Sequence, residues 1–167
     1  MPARPSTCSG QRDVDAHGPR ALVAGDEDSR DAILSARFSP DGQQIVTAGR
    51  DRTASVWNAS SLERLEHLAE GHDFLASSAI FFGDGSRLAT GAGDGTVRLW
   101  DVATGAQNLR LDDTGRTAAL DVSDDNELIA TGGAEGTAVI WDANRGDRLA
   151  TLTGHDAEVT ALAFAPG

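Results

Sequence analysis

The sequence is poor in cysteine, in aromatic residues and in basic charge. Cys8 is the one cysteine among 167 residues, so neither a disulfide within the chain nor a cysteine metal cluster can form. There are 14 Lys and Arg against 26 Asp and Glu, and the resulting formal net charge of −12 would repel a phosphate backbone. The composition therefore argues against nucleic-acid binding and favours a protein partner with a basic surface or a basic peptide segment.

Long apolar segments are also missing. No run approaches the roughly 18 apolar residues of a membrane span, and the N-terminus lacks the apolar core that a signal peptide requires. We therefore expect a cytoplasmic protein with no membrane partner. Residues 1–18 are polar and show no apolar periodicity, which predicts a disordered tail ahead of a folded region at residues 19–167.

A stretch that recurs three times dominates the rest of the chain. Leu88 to Asp101 combines a short run ending at Thr90–Gly91, a glycine-rich turn, and a β-branched and aromatic run containing Trp100. Related stretches contain Trp57 and Trp141, which lie 43 residues before and 41 residues after Trp100. A threonine precedes each of these tryptophans by ten positions. A fixed period of this size indicates a repeat protein.

Each repeat unit contains four short strand-like runs with turn residues between them. In the first unit the predicted strands are Ile33–Phe38, Ile45–Thr47, Thr53–Trp57 and Leu62–Leu68. The units span about residues 31–70, 71–112 and 113–153, and a fourth opens at 154–167 with a predicted strand at Val159–Phe164. This pattern predicts an all-β protein made of repeated four-stranded antiparallel units.

Three motifs resemble those of the WD40 repeat, and two of them occur twice in register. They are a Gly-His pair near the start of a unit (71–72 and 154–155), the Phe-Ser-Pro-Asp-Gly turn at 38–42, and a Trp-Asp pair (100–101 and 141–142). The resemblance covers about residues 31–167 and implies the blades of a β-propeller. Three units and a part are too few for a closed ring. We therefore expect a partial propeller, open or truncated, and interpret it as a fragment of a larger WD-repeat protein or as an arc closed by self-association.

One unit brings together residue types that are also found in hydrolase triads. His72, Asp94 and the hydroxyl of Thr90 fall within it, together with Trp100. The resemblance implies a structural role instead, in which the four side chains form a hydrogen-bonded chain within the blade. The corresponding residues of the other units are Thr47, Asp51, Trp57, Thr131, Glu135, Trp141 and His155. Ser29 and Thr114 stand near the histidine positions of the first and third units, so we expect looser networks there.

No motif indicates a cofactor or a metal. Gly91 to Gly95 is similar to a phosphate-binding loop, but no helical pattern follows it. The acidic pairs at 112–113 and 124–125 are typical of solvated turns. We therefore expect no catalytic residue, no cofactor and no metal site.

The resemblance implies that partners bind on the face that carries the Gly-His and turn-acid loops. The candidate contact residues there are Arg50, Arg52, Phe74, Asp73 and Asp156. Phe74 stands where the fourth unit has Ala157, and it either contacts a partner or packs between neighbouring blades.

These observations favour a non-catalytic scaffold for protein–protein interactions in signalling or complex assembly. The Ala-, Arg-, Asp- and Gly-rich composition suggests a bacterial source. One alternative is an enzyme-type propeller similar to quinone-cofactor dehydrogenases, because Asp101 to Gly105 resembles part of that repeat. The order of tryptophan and aspartate differs from that family, however. A second alternative is a truncated segment with no independent function.

Overall fold

The protein folds into strands connected by tight turns. The computed structural model describes residues 32–68, 72–112 and 115–166, so the predicted tail at 1–18 lies outside the described residues. None of the described residues forms a helix that could cross a membrane. The described strands are β1 (Ile33–Phe38), β2 (Gln44–Gly49), β3 (Ala54–Asn58), β4 (Arg64–Leu68), β5 (Ala76–Phe81), β6 (Arg87–Ala92), β7 (Val97–Asp101), β8 (Gln107–Leu111), β9 (Thr117–Val122), β10 (Leu128–Gly133), β11 (Ala138–Asp142) and β12 (Arg148–Leu152).

These strands form three four-stranded sheets, which we call blades 1, 2 and 3. Each blade is an antiparallel meander, β1–β4, β5–β8 or β9–β12, in which every strand pairs with the next along the chain. All three blades have a register shift where the third strand meets the fourth, at Trp57, Trp100 and Trp141. The predictions of an all-β fold and of four-stranded antiparallel units in a partial propeller are confirmed.

The core lies between the blades rather than inside any one of them. Successive side chains of a strand point to opposite faces of the sheet, so a central blade must be covered on both sides. Leu88 and Trp100 of blade 2 pack with the side chains of blade 1, whereas Ala89 and Leu99 pack with those of blade 3. Blade 2 is therefore the buried centre of the arc.

The first strands of neighbouring blades lie side by side and are linked by hydrogen bonds. Strand β5 contacts both β1 and β9. The backbone N–H of Ala79 donates to Ser35 Oγ across the first interface at 3.3 Å. The hydroxyl of Ser77 donates to the backbone oxygen of Thr117 across the second at 2.5 Å. These bonds fix the blades at the edge where they come closest.

The outer faces of blades 1 and 3 leave apolar side chains exposed. Phe38 of β1 is 45% exposed, whereas Phe81, at the same position of β5, is 5% exposed against blade 1. Leu152 of β12 is 54% exposed, whereas Leu111, at the same position of β8, is 1% exposed against blade 3. The same sequence pattern is thus buried or exposed according to whether a neighbouring blade covers it.

The fourth unit forms no regular strand in the described residues, so the predicted strand at Val159–Phe164 is wrong. Two backbone N–H groups still attach this segment to blade 3. The N–H of Val159 donates to the oxygen of Gly133, and that of Phe164 donates to Asp121 Oδ2. In each complete blade the first strand pairs with the second strand of its own unit. Residues 154–166 contain no second strand that could supply this ladder.

The turns repeat in register and share their backbone conformation. Three sets of positions have positive φ angles, which disfavour any residue with a Cβ atom. Most of these positions are glycine and one is asparagine; the exceptions are Arg52 (φ 72°) and Leu62 (φ 60°) in blade 1. The position of Arg52 is Gly95 in blade 2 and Gly136 in blade 3, and the position of Leu62 is Gly105 in blade 2 and Gly146 in blade 3. The three sets are Gly42, Gly85 and Asn126, then Arg52, Gly95 and Gly136, then Leu62, Gly105 and Gly146.

We expect Leu62→Gly to stabilise the protein. A left-handed conformation costs a residue with a Cβ roughly 1–2 kcal/mol, and the greater flexibility of glycine in the unfolded chain cancels about 0.5–1 kcal/mol of the gain. Leu62 is 53% exposed, so little burial is lost. Urea denaturation should show a gain of about 0.5–1 kcal/mol in unfolding free energy. Leu62→Ala is the control because it keeps the Cβ, and equal stability of the two variants would contradict the strain.

Candidate functional site

The candidate site lies at one end of the blades, where the loops that contain the turn acids meet the connectors between blades. We call this the turn-acid end. Its loops join the second and third strands of each blade at residues 50–53, 93–96 and 134–137. In each blade a backbone N–H of this loop donates to the residue before the first strand. The bonds run from Arg50 to Ala32, from Gly93 to Leu75 and from Ala134 to Arg116, at 3.0, 3.0 and 3.2 Å.

Blade 2 contains a continuous chain of side-chain hydrogen bonds. Trp100 Nε1 donates to Thr90 Oγ1 at 2.9 Å, and Thr90 Oγ1 lies 2.8 Å from His72 Nε2. His72 Nδ1 lies 3.1 Å from Asp94 Oδ2. The chain therefore runs from the third strand through the second strand to the connector and the turn, and it joins four segments of the blade.

One placement of the protons satisfies every member of this chain. The indole N–H of Trp100 donates to the Thr90 oxygen, so the hydroxyl proton of Thr90 is available for His72 Nε2. His72 then carries its proton on Nδ1, which faces the Asp94 carboxylate. A neutral His72 with the proton on Nδ1 uses both ring nitrogens in this way. The imidazole has no nitrogen left for a general base or for a metal ligand.

Burial keeps His72 neutral. Burial lowers the pKa of His72 below its ordinary value of 6.5, and the Asp94 carboxylate reverses only part of that shift. The pKa of Asp94 is also lowered, because burial would raise it but hydrogen bonds from the Thr96 hydroxyl and the backbone N–H of Asp73 outweigh that effect. The pair is therefore a neutral imidazole that donates to a carboxylate, and both groups are largely removed from water.

Sequence analysis missed Thr96, which completes the chain at the turn. Its hydroxyl donates to Asp94 Oδ1 at 2.7 Å, and its backbone N–H reaches the same oxygen at 3.0 Å. Its Oγ1 also lies 3.2 Å from His72 Nδ1. The signal was present in the sequence, because Thr53 and Thr137 stand at the same position of the other units.

Blades 1 and 3 contain only the inner half of the chain within the described residues. Trp57 Nε1 donates to Thr47 Oγ1, and Trp141 Nε1 donates to Thr131 Oγ1, both at 2.9 Å. Asp51 accepts a bond from the backbone N–H of Thr53. Glu135 forms no hydrogen bond or ion pair with another described residue. The positions that would supply a histidine, Ser29 and Thr114, lie outside the described residues.

Phe74 projects from the turn-acid end and packs against its own blade. It is 52% exposed. Its ring lies against Gly93, so closely that a Cβ at Gly93 would be 2.5 Å from Phe74 Cδ1. Gly93 therefore provides the surface on which this ring rests, which explains a glycine at the position of Arg50 and Ala134. The other side of the ring is open to solvent.

The remaining predicted contact residues lie on the same end of the protein but are not joined into one cluster. Arg50 and Arg52 flank Asp51 in the blade 1 turn, and both are exposed. Asp73 is exposed and uses its backbone N–H on Asp94. Asp156 is exposed in the connector after blade 3, and the neighbouring His155 is exposed as well. Among the described residues no three His, Cys, Asp or Glu side chains are grouped as a metal site.

A family model described as "WD domain, G-beta repeat" matches residues 26–58, 63–101, 113–142 and 146–167. The chain is 34% identical over 76 residues to "Guanine nucleotide-binding protein subunit beta" of Solanum tuberosum, which is 45% of this chain and 20% of that protein. It is 35% identical over 82 residues to "Small ribosomal subunit protein RACK1y" of Oryza sativa subsp. japonica, covering 48% of this chain and 24% of that protein.

A third relative is "Transcriptional corepressor LEUNIG_HOMOLOG" of Arabidopsis thaliana. It is 29% identical over 82 residues, which is 49% of this chain and 10% of that protein. In these three relatives the match therefore spans a quarter of the protein or less. The resemblance to the WD40 repeat, predicted from the Gly-His, Pro-Asp-Gly and Trp-Asp motifs, is confirmed.

We expect the stability of the protein to fall as the pH drops below 6.5, because of His72. The unfolded chain binds a proton at His72 below that pH, whereas the folded state, whose pKa is lower, does not. Since the unfolded state then holds more protons, the free energy of unfolding decreases as the pH decreases, by at most about 1.4 kcal/mol per pH unit for one group. Urea denaturation at pH 7.5 and 5.5 measures this loss.

Two variants distinguish the contribution of His72 to this loss of stability from the contributions of other titrating groups. His72→Gln should be less stable at pH 7.5, by about 1–3 kcal/mol, because buried partners lose their hydrogen bonds. It should also lose less stability than the wild type between the two pH values. His155→Gln removes an exposed histidine and should keep the wild-type slope. A His72→Gln variant with the full wild-type slope would show that another group is responsible.

Proposed function

Because the chain belongs to the WD40-repeat family, we propose that it is a non-catalytic interaction module that presents the turn-acid end of its blades to protein partners. We propose signalling or the assembly of a complex as its setting. The printed names of its relatives designate a subunit of a guanine nucleotide-binding protein, a ribosomal subunit protein and a transcriptional corepressor.

The hydrogen-bonded chain of blade 2 is the observation that carries this proposal. Its histidine, hydroxyl and carboxylate are the side chains that a hydrolase would use, yet each of them bonds to another member of the chain. Such a network fixes the loops of the turn-acid end in one arrangement. A rigid loop surface favours binding because little conformational entropy is lost when a partner docks. No observation on the described residues favours the quinone-cofactor alternative.

We propose Phe74 as the apolar anchor of the docking surface. Its exposed ring is held on a rigid turn, and aromatic side chains of this kind dominate the energetics of protein interfaces. Arg50, Arg52, Asp73 and Asp156 would contribute polar contacts around it. The net charge of −12 favours a basic peptide or a basic protein surface as the partner.

Binding of short peptides tests the proposed docking surface. Fluorescence polarisation with labelled peptides of basic, neutral and acidic composition should select basic peptides, most strongly at low salt. Phe74→Ala should weaken binding of the best peptide by at least about tenfold, since the loss of an aromatic anchor costs about 2 kcal/mol or more and about 1.4 kcal/mol corresponds to tenfold. The matched control is Leu62→Ala, which removes an equally exposed apolar side chain at the opposite end of blade 1.

Three outcomes would contradict the proposal. Acidic peptides that bind as tightly as basic ones would contradict the predicted preference for a basic partner. Equal losses of affinity in Phe74→Ala and Leu62→Ala would contradict the placement of the docking surface at the turn-acid end. Failure of every peptide class to bind would remove the docking surface altogether.

We also propose that two copies of the chain can associate head to tail. The outer face of blade 1 carries Phe38 at the position where blade 2 packs Phe81 against blade 1. The outer face of blade 3 carries Leu152 at the position where blade 1 packs Leu68 against blade 2. The two exposed faces therefore carry the same pattern as the two sides of an interface that already exists within the chain.

Light scattering after size exclusion tests this association. The wild type should elute with twice the chain mass of 17.3 kDa. Phe38→Glu and Leu152→Glu should each give monomers, because each places a carboxylate in both junctions of a two-copy ring. Mixing the two variants leaves one junction intact and should restore part of the dimer. Leu62→Glu, on a turn, is the control that should stay dimeric, and a monomeric wild type would refute the association.

The source and location of the protein stay predictions. The relatives described above come from plants, whereas the composition suggested a bacterial source. Cytoplasmic residence likewise rests on the sequence alone.

A further inference from the structure

A cavity of about 390 Å³ opens between blades 1 and 2, at the end opposite to the turn-acid end. Pro40, Asp41 and Gln44 of blade 1 line one side of it. Two turns of blade 2, at residues 83–86 and 101–103, line the other side. The volume is larger than a water molecule needs and is sufficient for a side chain.

The equivalent place between blades 2 and 3 is filled by the side chain of Arg87. Its Nη1 donates to Asn144 Oδ1 at 3.0 Å and to the backbone oxygen of Ala143 at 3.4 Å. Its Nη2 donates to the backbone oxygen of Asn126 at 3.2 Å. The guanidinium also lies 4.2 Å from the centre of the Phe82 ring. Arg87 therefore shows that a guanidinium group can be bound between two neighbouring blades of this chain.

The two places are equivalent in register. Gln44 begins β2 as Arg87 begins β6. Val102 corresponds to Ala143, because each donates its backbone N–H to the residue before the second strand of its own blade, at 2.9 and 2.8 Å. Gly85 and Asn126 correspond as turn residues with positive φ. The backbone oxygens of Gly85 and Val102 therefore occupy the positions of the two carbonyls that bind Arg87.

Four sequence differences explain why the first interface has a cavity and the second does not. Gln44 is shorter than Arg87, Ser39 is smaller than Phe82, and Gly85 has no side chain where Asn126 has one. The fourth difference concerns a hydrogen bond. The N–H of Gly83 donates to Asn126 Oδ1 at 2.6 Å and closes the second interface, but Pro40 stands at the position of Gly83 and has no N–H.

The walls of the cavity are acidic. They contain Asp41, Asp84 and Asp101. The Ser39 hydroxyl lowers the pKa of Asp41, and the Thr104 hydroxyl lowers the pKa of Asp101, so both carboxylates stay ionised well below neutral pH. No positively charged residue lines the cavity within the described part of the chain.

We propose that this cavity binds the guanidinium group of an arginine side chain that a partner supplies. The carbonyls of Gly85 and Val102 accept its N–H groups, as their counterparts accept those of Arg87, and the carboxylates supply the compensating charge. The assignment to a partner rests on the proposed function. The preference of the cavity for a guanidinium group does not, since a small molecule can test it without any partner.

The experiment titrates N-acetylarginine amide into the full 167-residue chain and follows backbone amides by NMR. Shifts should concentrate at Gly83, Gly85, Ser86 and Ala103. N-acetyllysine amide carries the same charge and should bind about tenfold more weakly, because an ammonium cannot reach both carbonyls in the planar arrangement of a guanidinium. Equal shifts with the two probes would mean a general attraction to acidic residues and would overturn the proposal.

Gln44→Arg is the decisive variant. It supplies a guanidinium group in the place that Arg87 occupies in the next interface, so it should abolish the shifts and raise the melting temperature. Gln43→Arg, which adds the same charge at the neighbouring exposed position outside the lining, should keep them. If Gln44→Arg fails to fold, Gly85→Asn fills the cavity instead, at a turn position where asparagine is tolerated. Undiminished arginine shifts in a folded filling variant would overturn the proposal.

Failure here is distinguishable from failure of the proposed function. A chain that binds basic peptides through Phe74 but shows no arginine shifts at the cavity keeps its role as an interaction module and loses only this site. Arginine shifts in a chain that binds no peptide would support the cavity alone.

Discussion

Each blade has two apolar faces, and in the described structure these faces are buried mainly where another blade covers them. A strand that alternates its side chains gives a sheet two surfaces to cover, and a single sheet cannot bury both. Blade 2 satisfies this requirement because it has neighbours on both sides. Blades 1 and 3 satisfy it on one side only, which leaves Phe38 and Leu152 exposed at positions that are buried elsewhere in the chain.

The polar network of blade 2 follows from the same burial. A histidine beside an aspartate at the protein surface would be a candidate acid–base pair. Here burial lowers the histidine pKa, and Thr90 and Asp94 occupy both ring nitrogens. Buried polar side chains are stable only when each of them has a hydrogen-bond partner, and the Thr96 hydroxyl supplies a further partner for Asp94. The network holds the loops of the turn-acid end in one arrangement.

Departures from the repeat are as informative as the repeat itself. Leu62 has the positive φ that glycine has at the same turn of the other blades, although a residue with a Cβ disfavours this conformation. The pairing of the flanking strands therefore determines this turn more than the conformational preference of leucine does. Gly93 removes a side chain so that Phe74 can lie on the backbone. Gln44 and Gly85 open a cavity where Arg87 and Asn126 close one. Blades with one fold therefore present different surfaces.

The sequence by itself determined the local structure. The spacing of Thr47, Thr90 and Thr131 from their tryptophans gave the repeats. The four strands predicted for the first unit lie close to β1–β4, with β4 beginning two residues later than predicted. These features depend on residues close together in one unit, so a local pattern contains them. The same local reasoning failed for Val159–Phe164, whose strand required a partner in a second strand that the segment does not contain.

Only the tertiary structure decided what happens between units. Repeats that look alike in sequence differ in whether a face is covered and in whether an arginine from the preceding blade fills the next interface. Each of these depends on pairs of residues about forty positions apart, as Arg87 and Asn126 are. Side-chain length and backbone donors combine there across two sheets, and no pattern within one unit records that combination.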